Sequence, residues 1–257
     1  YGIVCIAPCR VTAENPAGLC VFLSPAILWA TGGPSALYHK SVYPESQTGS
    51  SGIPLSAGAR GTNLTEFQYG TASLKFRWNV SGSYQQVIPR YISTDANGED
   101  AREFLPEAFG SREKAAQAVF RKGYEWPFSP EKLTSPARSA LVDMAVFQET
   151  CRGRRVWMDF RVNPNGIEMR AEDIGAEAYT YLQNSGALAD TPILRLRAMN
   201  EKAYRLYLDH GIDLETEALE IGVCAQHMNG GLECDIWYES PTLRRFFPCG
   251  EVSGVCL

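Results

Sequence analysis

Two apolar runs, one near each end of this chain, stop at glycine. Ala26-Ile27-Leu28-Trp29-Ala30 stops at Thr31-Gly32-Gly33, and Phe246-Phe247-Pro248-Cys249 stops at Gly250-Glu251. A short apolar run halting at glycine suits a buried strand that delivers main chain to a ligand. Glycine leaves no side chain where the chain must turn tightly and where a flat or charged group must reach the amides. Most strands of this kind touch no ligand, but two laid side by side converge on one site. The chemistry on offer there is binding by bare backbone, with Glu251 as an acceptor for hydroxyl groups.

Other chemistries are poorly served. Neither G-x-G-x-x-G nor G-x-x-x-x-G-K-[ST] occurs, so the dinucleotide and triphosphate fingerprints are missing. Three histidines, His39, His210 and His227, and no G-x-S-x-G elbow leave little for a serine hydrolase. Cys224, His227, Cys234 and Cys249 are zinc-ligand types, but their spacing fits no paired-knuckle pattern. They read as free, mostly buried thiols, and no metal site is expected.

The chain of 257 residues could be one large domain or two small ones, and its 45% hydrophobic and 21% charged content is ordinary for a globular protein. A net charge of −5 argues against a nucleic-acid partner, and Glu149 and Asp159 flank the one basic patch, Arg152, Arg154 and Arg155. Ser24-Pro25 interrupts the longest apolar run, so no insertion into a membrane is expected. The sequence opens without Met, basic region or cleavage signature, and reads as starting in mid-protein without a signal peptide. Eight scattered cysteines suggest reduced thiols and a cytoplasmic protein, in which the sequons at Asn63 and Asn79 are chance matches.

The elements that must position the glycines are strand-like and turn-rich up to about Tyr91. Asn15-Pro16-Ala17-Gly18 reads as a hairpin turn after a strand near Ile3 to Ile6, and a short helix runs from Ile53 to Ala59. An aromatic-rich, strand-like segment covers Thr65 to Val80. Beyond Ser93 the pattern turns helical, with helices from Ser111 to Lys122 and from an N-cap at Ser135 to about Cys151. Ile174, Ala178, Tyr181 and Leu182 share a helix face closed by Gly186, and a last helix runs from Thr191-Pro192 to His210-Gly211.

In order along the chain, Ala30-Thr31-Gly32-Gly33, Thr48-Gly49, Asn229-Gly230-Gly231 and Gly250-Glu251 resemble the FAD-binding flavoproteins related to succinate dehydrogenase, fumarate reductase and L-aspartate oxidase. The resemblance implies a mixed α/β and α+β fold. Residues 1–85 and 224–257 would be parts of an FAD-binding domain of three-layer α/β type, and residues 86–223 an inserted, mainly helical capping domain. It further implies that the family's N-terminal glycine motif and its final helix lie outside this sequence, so that the chain alone holds FAD poorly and is inactive.

Ala30, Thr31, Gly32, Gly33, Thr48, Gly49, Gly250 and Glu251 are the flavin contacts that the resemblance implies. Thr48-Gly49-Ser50-Ser51 stands where the family has T-G-D-G, so one acidic contact is missing. Arg138 falls near the family's active-site arginine, ahead of the turn Glu149-Thr150-Cys151-Arg152-Gly153-Arg154. Gln226 meets the family's substrate-binding histidine, with His227 one place away, and Gln85, Gln86 and Arg90 are further candidate polar contacts. A second histidine position meets Phe67-Gln68-Tyr69-Gly70-Thr71. The implied activity is hydride transfer between flavin N5 and a small substrate held under the cap. Because both histidines are lost, that substrate should be a different one or carry less charge than a dicarboxylate. An iron–sulfur or other electron-transfer subunit is the implied partner. The alternative is a non-catalytic flavin-fold fragment serving as a partner-binding module.

Overall fold

A computed structural model describes residues 2–33, 37–44, 47 and 49–254. The chain divides into two units, one made of Tyr1–Leu37, Glu45–Phe67 and His227–Leu257, the other of Tyr38–Pro44 and Gln68–Gln226. The divisions fall at Phe67 and Gln226, against expected boundaries near 85 and 224. The aromatic-rich segment after Phe67 is a strand of the second unit's sheet, which is why the first division comes early.

In the first unit, β1 (Gly2–Ile6) and β2 (Leu19–Leu23) form an antiparallel hairpin. Asn15 closes its turn, accepting from Leu19 N–H at 2.9 Å and donating to Leu19 O at 3.0 Å. β3 (Ile27–Trp29) is followed by α1 (Gly52–Ser56) and β4 (Gly61–Thr62). The returning chain adds two short strands, Gly231–Leu232 against β4 and Phe246–Pro248 parallel to β3. Numbered in chain order these are β11 and β12. The core here is small: Trp29, Ala59, Leu232, Phe246 and Val252.

The second unit is built on a six-stranded sheet. Its strands are β5 (Phe67–Ser73), β6 (Trp78–Asn79), β7 (Arg90–Thr94), β8 (Arg102–Glu103), β9 (Arg155–Asp159) and β10 (Leu219–Met228), ordered β6-β5-β10-β9-β7-β8. Its helices are α2 (Ser83–Gln86), α3 (Leu105–Phe109), α4 (Arg112–Lys122), α5 (Ala140–Cys151), α6 (Ala171–Ile174), α7 (Ala176–Asn184) and α8 (Pro192–Asp209). Val142, Val146, Met158, Phe160, Leu196, Tyr207 and Leu219 belong to the larger of its two apolar clusters. Among the described residues no helix is long and apolar enough to cross a membrane.

Helix α4 starts where its sequence says, with Ser111 Oγ accepting from Lys114 N–H at 3.1 Å. Helix α8 ends as expected, with His210 Nδ1 bonded to Leu206 O at 2.7 Å and Gly211 in the left-handed region. Three helices depart from expectation, and one of them, α8, is kinked at Asn200, with φ −157° and ψ 76°. The one placed from Ser135 begins only at Ala140, because Arg138 sits at a φ of +50° and no right-handed turn passes through such a residue. The one expected through Ile174 and Ala178 breaks at Gly175, with φ 85° and ψ 148°.

Candidate functional site

The two glycine-ended runs meet in the first unit. β12 lies parallel to β3 with Phe246 opposite Ile27, Phe247 opposite Leu28 and Pro248 opposite Trp29, and Cys249 N–H donates to Trp29 O at 2.9 Å. Both strands therefore release their glycines at the same end. Gly32 and Gly250 have φ values of 74° and 75°, a region that residues with a Cβ enter only at a cost. Gly49 also has positive φ, at 66°, and Thr48 lies outside the described residues.

Glu251 ties this arrangement together. Its Oε2 accepts from Gly33 N–H at 3.3 Å, and its Oε1 from Met228 N–H at 3.0 Å and from His227 Nδ1 at 2.9 Å. One carboxylate thus joins the chain after β3, the end of β10 and the turn after β12. Charge-assisted bonds to main-chain N–H groups are among the stronger ones a carboxylate makes. With three donors already in place, Glu251 positions the loops of the site, a role that the sequence reading as a hydroxyl acceptor did not include. Burial holds the His227 imidazole below its ordinary pKa, so the neutral ring donates from Nδ1 and leaves Nε2 for another partner.

Asn229-Gly230-Gly231 has a packing explanation. A Cβ on Gly230 would stand 1.8 Å from Asn63 O, and one on Gly231 2.4 Å from Val252 O. These glycines exist so that main chain can pass against main chain. Gly250 differs, because a Cβ there would meet nothing within 4 Å. Thr31 Oγ1 and Trp29 Nε1 are buried without a hydrogen-bond partner, which is rare for such groups. Positive-φ glycines, open space over Gly250 and an orphaned hydroxyl at the end of β3 suit a group bound through backbone amides, and FAD fits that description. Ala30 is exposed and Thr31 and Gly32 are half-buried beside it, while Gly33 is buried through its bond to Glu251.

In the second unit, Gln226 is buried, its Nε2 donating to Gly70 O at 2.9 Å. A Cβ on Gly70 would stand 2.6 Å from Trp126 Nε1, an indole nitrogen that is itself buried without a partner. Arg138 is exposed in the turn before α5, where its N–H donates to Ser135 Oγ at 3.2 Å. The structure therefore places it outside the helix, with a guanidinium held by one long bond to Leu133 O at 3.4 Å. Left-handed φ at a residue other than glycine is a form of strain that concentrates at functional positions. The three further candidates are taken up by the protein: Gln85 accepts from Tyr91 OH at 2.6 Å, Gln86 from Tyr181 OH at 3.3 Å, and Arg90 pairs with Glu103 at 2.7 Å.

The basic patch is neutralised internally. Glu149, 2% exposed in its side chain, takes ion pairs from Arg102, Arg152 and Arg154, and Arg154 also reaches Asp100.

One buried group was not singled out from the sequence. Lys122 and Asp143 form an ion pair with side chains 1% and 2% exposed, and Thr71 Oγ1 donates to Asp143 Oδ1 at 3.0 Å. Burial pushes the Asp143 carboxyl above its usual range, against the pull of the Lys122 ammonium. A signal was present: Lys122 follows Ala115, Ala118 and Val119 on the apolar face of its helix, a placement that only pairing makes tolerable.

No protein-family model matches the chain. A curated relative from Methanothermobacter marburgensis, named as one of the subunits of fumarate reductase (CoM/CoB), is 33% identical over 104 residues, covering 37% of this chain and 19% of the relative. Among solved structures, "Mycobacterium smegmatis Sdh1 in complex with UQ1" matches with a TM-score of 0.55 at 16% identity, over 93% of this chain and 32% of that one. "Quinol-Fumarate Reductase with Menaquinol Molecules" matches with a TM-score of 0.51 at 19% identity, over 93% of this chain and 36% of that one. The chain thus spans about a fifth of its curated relative and about a third of the solved chains. It resembles the fumarate reductase and succinate dehydrogenase flavoproteins, the family that its glycine motifs point to.

Proposed function

We propose that this chain is part of an FAD-dependent oxidoreductase of the fumarate reductase and succinate dehydrogenase kind. The observation that supports this most is the parallel pairing of β3 with β12, which brings Gly33 and Glu251 within hydrogen-bonding distance, 218 residues apart in sequence. The first unit belongs to the FAD-binding domain, and the second is the capping domain. FAD, when bound, supplies hydride exchange at N5.

The chain's own residues do the rest. Ala30, Thr31, Gly32, Gly49 and Gly250 offer main-chain groups to the flavin, and the Thr31 hydroxyl gains a partner in it. Glu251 keeps those segments in register. Arg138 holds an anionic group of the substrate or hands it a proton, and its exposed guanidinium has donors to spare. Gln226 and His227 orient the substrate through the remaining Gln226 amide atoms and His227 Nε2. With glutamine in place of histidine, the substrate is less charged than a dicarboxylate. Electrons come from an iron–sulfur or other electron-transfer subunit.

The complete gene product should purify with the visible absorbance of bound oxidised flavin, and a folded, colourless protein would contradict the reading. In that product, Arg138→Ala should retain flavin. It should lose reoxidation of reduced flavin by whichever of fumarate and its monoamide the unaltered enzyme uses. Unchanged turnover removes Arg138 from the mechanism.

A further inference from the structure

The β1–β2 hairpin sets two cysteines face to face. Its register places Cys5 directly opposite Cys20. Directly opposed residues of an antiparallel pair send their side chains to the same side of the ribbon. Both residues are half-buried, on the same side as Ile3, which packs against the first unit's core, while their neighbours Val4, Ile6, Leu19 and Val21 point to solvent.

The spacing can be read from the ladder. Ala7 N–H donates to Gly18 O at 2.8 Å, and hydrogen-bonded and open rungs alternate, so the rung two residues further in, Cys5 with Cys20, is a hydrogen-bonded one. Such a rung holds its Cα atoms about 5.5 Å apart, within the roughly 4.4–6.8 Å that a disulfide spans. The Cβ atoms of opposed residues lie about 5 Å apart and must close to about 3.8 Å, so the link forms with some strain and stays easy to reduce.

We propose that Cys5 and Cys20 are a reversible dithiol–disulfide pair, a modification site oxidised by low-molecular-weight disulfides such as glutathione disulfide. One cysteine thiolate attacks a sulfur of the oxidant, releasing one glutathione thiolate and forming a mixed disulfide. The second cysteine thiolate displaces the other glutathione, closing the Cys5–Cys20 bond. Two protein thiols are oxidised, one disulfide is reduced to two thiols, and the two protons end on the released glutathiones. The link ties β1 to β2 across their shared ladder. Cys9, exposed in the turn between the strands, serves as an internal control, since it lies on neither strand.

The chain is incubated under native conditions with glutathione disulfide, quenched with iodoacetamide and mapped by peptide mass. The expected result is one internal link joining the Cys5 and Cys20 peptides, with the loss of two hydrogen masses and full reversal by dithiothreitol. Cys9→Ser should leave the link intact, while Cys5→Ser and Cys20→Ser should each stop at a mixed disulfide on the remaining cysteine of the pair. A dominant link through Cys9 would overturn the proposal. So would Cys5 and Cys20 each remaining alkylated, or separately glutathionylated, at a dose that modifies Cys9.

Discussion

The second unit is held by side chains and the first by main chain. In the second, aliphatic and aromatic residues from helices and a six-stranded sheet fill two clusters, and the buried Lys122, Asp143 and Glu149 are held in ion pairs. In the first, five buried residues make the core, and order comes from the β1–β2 hairpin, strands of two or three residues, glycines pressed against carbonyls and one carboxylate joining three segments. Packing of the first kind builds a scaffold. Packing of the second kind leaves the Thr31 hydroxyl without a partner, a group that a bound cofactor can satisfy.

The largest test of this contrast is a methyl group in the wrong place. Gly230→Ala puts a Cβ against Asn63 O, backbone that cannot move aside as a side chain would. The cost should exceed about 4 kcal/mol, and hydrogen exchange should show the first unit open while the second stays protected. In the second unit, Asp143→Ala strands the Lys122 ammonium and should cost about 3–5 kcal/mol in denaturant unfolding. Replacing both partners by apolar residues, Lys122→Met with Asp143→Leu, should recover most of that loss, because the penalty belongs to the unpaired charge.

Ordinary core deletions sharpen the contrast further. Leu196→Ala, at a fully buried position of the second unit, should cost about 2–5 kcal/mol. Leu28→Ser, on β3 of the first unit and 75% exposed, should stay within about 0.5 kcal/mol. Equal losses at the two sites would mean that the first unit is held by side-chain packing after all.

The smallest expected effect is a pH slope. Burial sets the folded His227 pKa below the unfolded value of about 6.5. Above that pH both states are neutral. As the pH falls below it, the unfolded chain takes up a proton that the folded chain refuses, so stability declines until the folded imidazole titrates as well. His227→Gln should flatten this decline in acid unfolding followed on the first unit.

The same contrast explains what could be read in advance. Helix α4 announces itself through the Ser111 cap and an alanine-rich apolar face, and α8 through Thr191-Pro192 at one end and His210-Gly211 at the other, because periodicity and caps are local properties. The meeting of β3 with β12 was legible only as two glycine endings, since no local signal says that residues 27 and 246 pair. The late start of α5 was hidden because nothing in Ser135-Pro136-Ala137-Arg138 announces a left-handed arginine. The work of Glu251 was hidden because its donors are main-chain N–H groups and a histidine brought together by the fold. Lys122 and Asp143 each stand at an inward position of a helix, which spacing shows, whereas their pairing is a product of the fold.

The most direct test of the cradle is the flavin content of Gly250→Leu in the complete gene product. A side chain at this position meets no protein atom near its Cβ, and the left-handed φ costs only about 1–2 kcal/mol, so the fold should persist. The account predicts a folded protein that has lost its flavin absorbance. Full flavin occupancy with the fold intact would contradict the claim that these glycine endings hold the cofactor.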